Sequence, residues 1–310
     1  MRQKNRWRFP KDIEQNMRIS HQTQSILREG NYELSDEKVF LKLLGIQQRA
    51  AKYYDVNAVE AMREHPINNV LIEYNRCRYS VVNQDAFEVA REITADSLYQ
   101  ADSGRKNVLV LNCADPRHAG GDINPGTKSQ EKDFCRRSSL LRSLQSLGAY
   151  PYYEEQRKLK YSLASDSIIL SPEVEIIRGS NDQLLPETTV VAVLSCAAPM
   201  IGQEDDSIAN TTMKKLFYDR IMGILHVAAY EGYKYLILGD WGCGTFGNDP
   251  KVISDLFYKA LKNIQHNEFH GKDVFRQIVF AVLDFSEEEK NFKAFQSCFA
   301  DFCWDGNKEE

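Results

Sequence analysis

The sequence predicts an α/β protein: a three-layer α/β/α sandwich with a mostly parallel central sheet and a helical N-terminal extension. Two observations predict this fold class. Short apolar runs typical of buried strands alternate along the chain with amphipathic segments at helical spacing. The stretches between successive runs are also long enough for crossover connections, so we expect neighbouring strands to pair in parallel and helices to cover both sheet faces.

The N-terminal part of the chain has the spacing of helices. Residues 10–29 and 36–54 each alternate apolar and polar groups at helical spacing, and Gly30-Asn31 forms a plausible stop and turn between them. We expect residues 1–60 to form a helical arm packed on a main domain of residues 61–304. The tail, residues 305–310, is predicted to be disordered.

The predicted main domain alternates strands and helices. Strands are predicted over residues 69–82, 107–112, 167–178, 188–196, 234–239 and 277–284. Helices are predicted over residues 85–98, 130–147, 206–231, 250–265 and 287–300. In the helix over 130–147, we expect Phe134, Leu141 and Leu144 to face the core.

Composition and charge exclude several classes of protein. With 43% hydrophobic and 27% charged residues, the chain is ordinary for a soluble globular protein. It has neither an apolar run of about 18 residues nor the apolar core of a secretory signal after its basic start. We therefore expect no membrane partner and a cytoplasmic location, or delivery into a host cytosol. The net charge of −5 argues against a broad nucleic-acid surface. We expect a monomer.

The seven cysteines are scattered and never stand in C-x-x-C spacing. This pattern argues against a zinc site and a disulfide scaffold, and it suits a reducing compartment. No residue spacing demands a divalent metal either.

A first candidate loop follows the strand that ends at Asn112. It carries Gly120, Gly121 and Asp122 and leads into a helix that opens near Gln130. Glycines let backbone N–H groups approach an anion, and a helix N-terminus adds donors and a partial positive charge. A loop that only held phosphate would gain nothing from four carboxylates, so we expect some of them to take part in chemistry. They are Asp115, Asp122, Glu131 and Asp133.

A second loop, residues 239–248, lies between the strand 234–239 and a helix that begins near Pro250. Its four glycines make a second backbone cradle, although the spacing matches neither a dinucleotide fold nor a P-loop. Two such loops at the carboxyl ends of two strands suit one ligand that spans both, such as a diphosphate with a sugar at each side. The alternative is that both are tight turns without a ligand. The candidate ligand-binding residues are Asn112, Gly120, Gly121, Gln130, Gly239, Gly242, Cys243, Gly244, Thr245, Phe246, Gly247 and Asn248.

Both loops resemble one known family. VLVLNCADPRHAGGDINPGTKSQEKDFCRRSS resembles the signature of the microbial-type poly(ADP-ribose) glycohydrolases, a branch of the macrodomain fold, and LILGDWGCGTFGND resembles their diphosphate loop almost residue for residue. Weaker similarities extend over about residues 20–285. The resemblance implies a macrodomain-like fold, ADP-ribose as ligand, a ribose contact at Glu131, and neither cofactor nor metal.

The chain departs from the family pattern in the first loop. Aligned without gaps, Asp122 takes the place of the third loop glycine, and Lys132 takes the place of the general-acid glutamate. An aspartate cluster suits a cationic leaving group such as the guanidinium of ADP-ribosyl-arginine, because one carboxylate can hold it bidentately while another activates water. In this respect the chain is similar to the aspartate-using, arginine-specific ADP-ribosylhydrolase branch of the family. The resemblance therefore implies an ADP-ribosylhydrolase that removes mono-ADP-ribose from modified protein side chains, with arginine favoured. Its catalytic residues would be Asp122, Asp133, Asp115 and Glu131.

Two other functions remain open. One is a non-catalytic macrodomain that binds ADP-ribose; the other is a poly(ADP-ribose) glycohydrolase in which Glu131 or Asp133 replaces the missing acid. Several residues also have a purely structural interpretation. Asp115 before Pro116 is a common turn starter, Asp133 suits the first turn of a helix, and Cys243 fits a tight turn. His118 is interpreted as a surface residue, and Arg136 or Arg137 as a tie from the helix to neighbouring carboxylates.

Overall fold

The computed structural model describes residues 10–43, 51–64, 77–101, 108–121, 126, 128–159, 163–200, 210–264 and 274–301. The helices are α1 (Pro10–Glu29), α2 (Val56–Glu64), α3 (Ala86–Ala95), α4 (Ser97–Ala101), α5 (Gln130–Arg137), α6 (Leu140–Leu144), α7 (Tyr150–Arg157), α8 (Asn210–Tyr230), α9 (Pro250–Asn263) and α10 (Lys290–Cys298). The strands are β1 (Asn31–Leu34), β2 (Glu37–Phe40), β3 (Lys52–Tyr54), β4 (Arg78–Val82), β5 (Leu109–Cys113), β6 (Ile168–Arg178), β7 (Leu184–Cys196), β8 (Tyr235–Leu238) and β9 (Gln277–Ala281).

Within these residues a seven-stranded sheet has the order β3-β6-β7-β5-β8-β9-β4. The five strands from β7 to β4 are parallel, whereas β6 runs antiparallel to β7 and β3 antiparallel to β6. Helices cover both faces, so the predicted α/β/α sandwich with a mostly parallel sheet is confirmed. No described helix has both the length and the apolar character needed to cross a membrane.

Two cores flank the sheet, because successive side chains of a strand point to opposite faces. On β5, Leu109 and Leu111 join a core with α2, α8, α9 and α10. Val110, between them, joins the opposite core with α3, α5, α6 and α7. The residues that face one core and those that face the other are both apolar. These strands therefore appear in the sequence as continuous hydrophobic runs, which is why the sequence predicts them well.

The N-terminal arm differs from its prediction. Helix α1 is confirmed, but the helix predicted over residues 36–54 is wrong: β1 and β2 form a hairpin, and β3 pairs with β6 in the central sheet. The hairpin turn places Ser35 and Asp36 at φ 51° and 67°. The hairpin pairs residues that are close in sequence, but it packs in one core cluster with Ile177, and β3 depends on its partner strand β6. These tertiary contacts outweigh local helical spacing. The arm–domain boundary at residue 60 stays a prediction.

The helix predicted over residues 130–147 is broken into α5 and α6. Ser138 is extended between them, at φ −150° and ψ 179°, and it forms a β-bridge to Ile176 of β6. Its hydroxyl donates to the carbonyl of Phe134 and accepts from the N–H of Leu140. The break lets α6 turn toward β6. Phe134 and Leu144 are buried in the core as expected, and Leu141 packs against it. The predicted tail lies outside the described residues.

Candidate functional site

The two loops meet at one edge of the sheet, because β5, β7 and β8 are parallel neighbours and all end there. The indole N–H of Trp241, in the second loop, donates to the carbonyl of Cys196 at the end of β7, over 3.0 Å. The backbone N–H of Gly242 makes a hydrogen bond to the thiol of Cys113 at the end of β5. The second loop is thus anchored directly against the start of the first.

Glu131 lies beneath the first loop, and its side chain is 1% exposed. One carboxyl oxygen accepts from Asn112 Nδ2 over 3.3 Å, and the other accepts from the N–H of Asp115 over 2.8 Å. The N–H of Gly120 also donates to this carboxyl group. Burial nevertheless dominates and raises the pKa of Glu131 to about 8. Burial therefore favours the protonated form of this carboxyl group at neutral pH.

Asn112, at the end of β5, is fully buried beside Glu131. Its amide nitrogen donates to Glu131 and to the hydroxyl of Ser195 on β7, over 3.3 and 3.0 Å. Its carbonyl oxygen, however, has no hydrogen-bond partner among the described residues. A buried acceptor in a native site is normally satisfied, so this oxygen is suited to accept from a ligand hydroxyl. The contribution of Ser195 could not be read from the sequence, because it comes from a different strand.

Gln130 attaches the start of α5 to the end of β5. Its side-chain oxygen accepts from the N–H of Cys113 over 2.8 Å, and its nitrogen donates to the carbonyl of Leu111 over 3.4 Å. Both ends of this amide are therefore engaged with protein backbone. Its predicted ligand contact stays a prediction, but its contacts favour a structural role.

The two glycines of the first loop have left-handed backbone conformations, with φ of 79° at Gly120 and 88° at Gly121. Each also lies where a Cβ would collide with a neighbour, 2.7 Å from Leu141 Cδ1 and from Lys132 Cε respectively. The aliphatic part of Lys132, a side chain only 5% exposed, therefore packs directly on Gly121. These glycines are required both by the turn and by close packing on the helices behind it.

The predicted aspartates do not form one cluster. Asp122 lies outside the described residues. Asp115 accepts from the N–H groups of Arg117 and His118 over 2.7 and 2.9 Å, which closes its own turn. It also approaches His118 Nδ1 at 3.3 Å. Asp115 remains close enough to Glu131 to contribute to the rise in its pKa.

Asp133 lies in a separate ion-pair network. Its carboxylate contacts Arg136 Nη2 and Arg137 Nε, each at 3.0 Å. Arg137 is fully buried and also binds Asp85, the N-cap residue of α3, over 2.8 Å. Asp133 therefore has two arginine partners, and its catalytic role stays a prediction. Arg137 ties α5 to the carboxylate of Asp85, which agrees with the structural interpretation of the two arginines.

The second loop contains both anchored and open residues. Gly242 has φ 81°, and a Cβ there would lie 2.7 Å from the Cβ of Ala198. Asn248 is buried and clamps the loop, donating to the carbonyls of Gly242 and Pro199 over 2.9 and 2.8 Å. Cys243 is buried too, and burial raises the pKa of its thiol far above the ordinary value. The exposed positions are Gly244, Thr245 and Gly247, with Phe246 half-buried.

A polar group beyond the second loop was not anticipated from the sequence. The amide of Asn291, on α10, donates to the carboxylate of Asp240 over 2.7 Å. Burial raises the pKa of Asp240. Asp284, after β9, caps α10 by accepting from the N–H groups of Asn291 and Phe292. The sequence signal that could have identified the two aspartates is their position, because each closely follows an apolar strand.

Comparisons with known proteins agree with this geometry. The chain matches the family described as microbial-type PARG, catalytic domain, over residues 20–179. Poly(ADP-ribose) glycohydrolase from Thermomonospora curvata is 26% identical, with a TM-score of 0.79 over 92% of this chain and 100% of that one. Its complex with the inhibitor ADP-HPD is similar, at 25% identity, with a TM-score of 0.77 over 92% of this chain and 99% of that one.

The enzyme from Deinococcus radiodurans in complex with ADP-ribose is 28% identical, with a TM-score of 0.73 over 86% of this chain and all of that chain. No curated protein is significantly similar to the chain. Since the family match covers more than half of the sequence and both loops take up the geometry described above, the chain belongs to the microbial-type poly(ADP-ribose) glycohydrolase family.

Proposed function

We propose that this protein hydrolyses the O-glycosidic bond at C1″ of a terminal ADP-ribose unit in poly(ADP-ribose), with Glu131 as the general acid. The observation that carries the proposal is the Glu131 carboxyl group, which is buried under the first loop against Asn112 and Asp115. Burial raises its pKa to about 8 and so favours the protonated form at neutral pH. Cleavage of a ribose–ribose bond requires a proton for the leaving oxygen, and a carboxylic acid with a raised pKa is the usual donor.

The surroundings of Glu131 also suit the state after proton transfer. The carboxylate would be held by Asn112 Nδ2 and by the N–H groups of Asp115 and Gly120. The N-terminus of α5 adds a partial positive charge beside it. These fixed dipoles stabilise negative charge that develops in the transition state, without reorganisation. In this way Glu131 takes over the role for which Lys132 is chemically unsuited.

The ligand would lie along the edge of the sheet. We place its distal ribose at Asn112, whose buried carbonyl oxygen is without a described partner, and its diphosphate on the open backbone of Gly244 to Gly247. Support for this ligand comes from the complex of the Deinococcus radiodurans enzyme with ADP-ribose. Phe246, half-buried on the same loop, is then the ring available to the adenosine side.

Removal of mono-ADP-ribose from arginine has less support. Its mechanism needs free aspartates, whereas Asp133 is paired with two arginines and Asp115 closes its own turn.

A non-catalytic reader has less support as well. Binding alone accounts for a ribose contact at Glu131 but does not require its carboxyl group to hold a proton, and burial of such a group costs stability at neutral pH.

The test is release of ADP-ribose from three substrates: poly(ADP-ribose), an arginine-modified protein and a serine-modified protein. We expect wild type to cleave the polymer and Glu131→Gln to lower kcat by about 10²–10⁴, as is typical for loss of a general acid. Binding of ADP-ribose should change little, because glutamine keeps the shape of the side chain.

Glu175→Gln is the matched control, since Glu175 is fully buried but binds Lys42, Leu43 and Thr188 outside the site. It should keep the wild-type kcat at temperatures where it is folded. Cleavage of the arginine substrate alone, abolished by Asp115→Asn, would replace the proposal with the arginine-specific hydrolase. Tight ADP-ribose binding without any cleavage would make the protein a reader.

A further inference from the structure

An open groove of about 550 Å³ lies between α9 and α10, outside the site described above. Three lysines line it, against a single acidic residue, Glu288. Hydroxyl groups of Ser254 and Ser297 complete the polar lining. The lysines are Lys251, Lys290 and Lys293. On a chain of net charge −5, the lining of this groove therefore carries more positive than negative charge.

The lysine charges are largely available to a ligand. Lys293 approaches Glu289 at 3.8 Å, but both side chains are more than 40% exposed, so solvent screens this pair. Lys251 and Lys290 form no ion pair with any residue in the described part of the chain. A phosphate entering the groove would not have to displace a strong existing partner.

The groove begins where the second loop ends. Lys251 follows this loop directly, in the first turn of α9. On α10, Asn291 stands between two of the lysines and donates to Asp240 of the second loop. In the sheet, β8 lies between β5 and β9. The first loop follows β5, and β9 leads into α10. A ligand that extends from the first loop across the second is therefore directed toward the groove.

We propose that this groove binds the diphosphate of a second ADP-ribose unit, attached on the adenosine side of the unit held by the two loops. The protein would then engage poly(ADP-ribose) within the chain as well as at its end. Lysines act as point charges toward phosphate, and Lys251 and Lys290 stand in the first turns of α9 and α10, on either side of the groove. This inference rests on the proposed function.

The experiment measures binding in the Glu131→Gln background, where turnover does not interfere. The variant carries Lys251→Ser, Lys290→Ser and Lys293→Ser together. Loss of three exposed ion pairs should weaken binding of long poly(ADP-ribose) by about tenfold, and binding should become less sensitive to salt. Affinity for monomeric ADP-ribose, which does not reach the groove, should stay unchanged.

The control carries the same change in net charge at exposed lysines of α8 and α9 outside the groove: Lys214→Ser, Lys259→Ser and Lys262→Ser. It should bind long polymer as the parent does. Equal losses in the two triple variants, or a parallel loss for ADP-ribose and polymer in the groove variant, would overturn the groove proposal. A parent that binds neither ADP-ribose nor polymer would instead refute the proposed function itself.

Discussion

At the scale of single residues, burial raises the pKa of neighbouring groups, with different chemical consequences for each. It raises the pKa of Glu131 to about 8 and that of the Cys113 thiol to about 12. A carboxyl group so shifted becomes a proton donor at neutral pH, whereas a thiol so shifted stays protonated and inert. The thiol of Cys243 stays protonated for the same reason, since its pKa is raised still further, and this agrees with the structural interpretation of Cys243. The raised pKa of Glu131 thus makes this buried carboxyl group a candidate proton donor at the site.

The first prediction concerns the pH dependence of the reaction. If Glu131 is the general acid, kcat/KM for poly(ADP-ribose) should be constant below pH about 8 and fall above it, as the carboxyl group of Glu131 loses its proton. Steady-state rates from pH 6 to 10 check this. A profile that rises through pH 8 would show that the ionised form of Glu131 is the active one.

The second prediction concerns stability. The pKa of Glu131 rises from 4.5 to about 8 on folding, so between these values the folded state binds more protons than the unfolded state. The free energy of unfolding should therefore fall as pH rises through this window, by up to about 1.4 kcal/mol per pH unit. Urea unfolding of wild type and Glu131→Gln at pH 5 and pH 8 isolates the effect. The variant should gain stability relative to wild type at pH 8, and an unchanged difference would contradict the pKa shift.

At the scale of elements, α1 contacts the segment that carries Glu131 at two places, one before and one after this residue. Asn16 donates to the carbonyl of Gly126, in the first loop, over 2.9 Å. A Cβ at Gly126 would lie 2.6 Å from the carbonyl oxygen of Ile13, so the contact is tight. Thr23 donates to the carbonyl of Arg136, near the end of α5, over 2.6 Å. The N-terminal helix therefore positions the site, although it contributes no candidate catalytic side chain.

The third prediction tests this contact with Asn16→Leu. The change removes the buried hydrogen bond from Asn16 to the carbonyl of Gly126 and should cost about 1–3 kcal/mol of unfolding free energy. Looser positioning of the first loop should lower kcat more than it raises KM. Gln15→Leu, at the exposed neighbouring position of the same helix, is the matched control and should change neither quantity. Equal kcat in the two variants would limit α1 to a role in stability.

At the scale of the whole molecule, the sheet order brings distant segments to one edge. The first loop follows β5, the second follows β8, and the ends of β7 and β9 flank them. The ligand site is therefore assembled from several crossovers, and it exists only in the folded chain. Any ligand that binds across the loops must stabilise the fold by mass action.

The fourth prediction follows from this linkage. ADP-ribose at 100 times its Kd should stabilise wild type by about 2.7 kcal/mol and raise Tm. Gly242→Ala should lose this stabilisation, because φ is 81° and the added Cβ would lie 2.7 Å from Ala198. Gly232→Ala controls for backbone strain, since φ is 78° but no atom lies within 4 Å. A normal ADP-ribose shift in the Gly242 variant would exclude the second loop from the binding site.

Much of the fold could be predicted because its signals are local. The strands around Leu109–Cys113 and Tyr235–Leu238 are buried on both faces and read as apolar runs. The glycines of both loops predict turns, because glycine adopts positive φ angles without strain. The break at Ser138 and the pairing of Lys52–Tyr54 could not be predicted, since both depend on β6, more than 30 residues away.

Local patterns along the chain are sufficient to predict the α/β class, the two glycine loops and the residues around which a site could form. The interactions of those residues depend on the folded structure. It paired Asp133 with Arg137, which also binds Asp85, and it buried Glu131 under the first loop beside Asn112. The physical reason is that the charge state of a carboxyl group depends on desolvation and on neighbours brought from distant segments, and no spacing along the chain reports either.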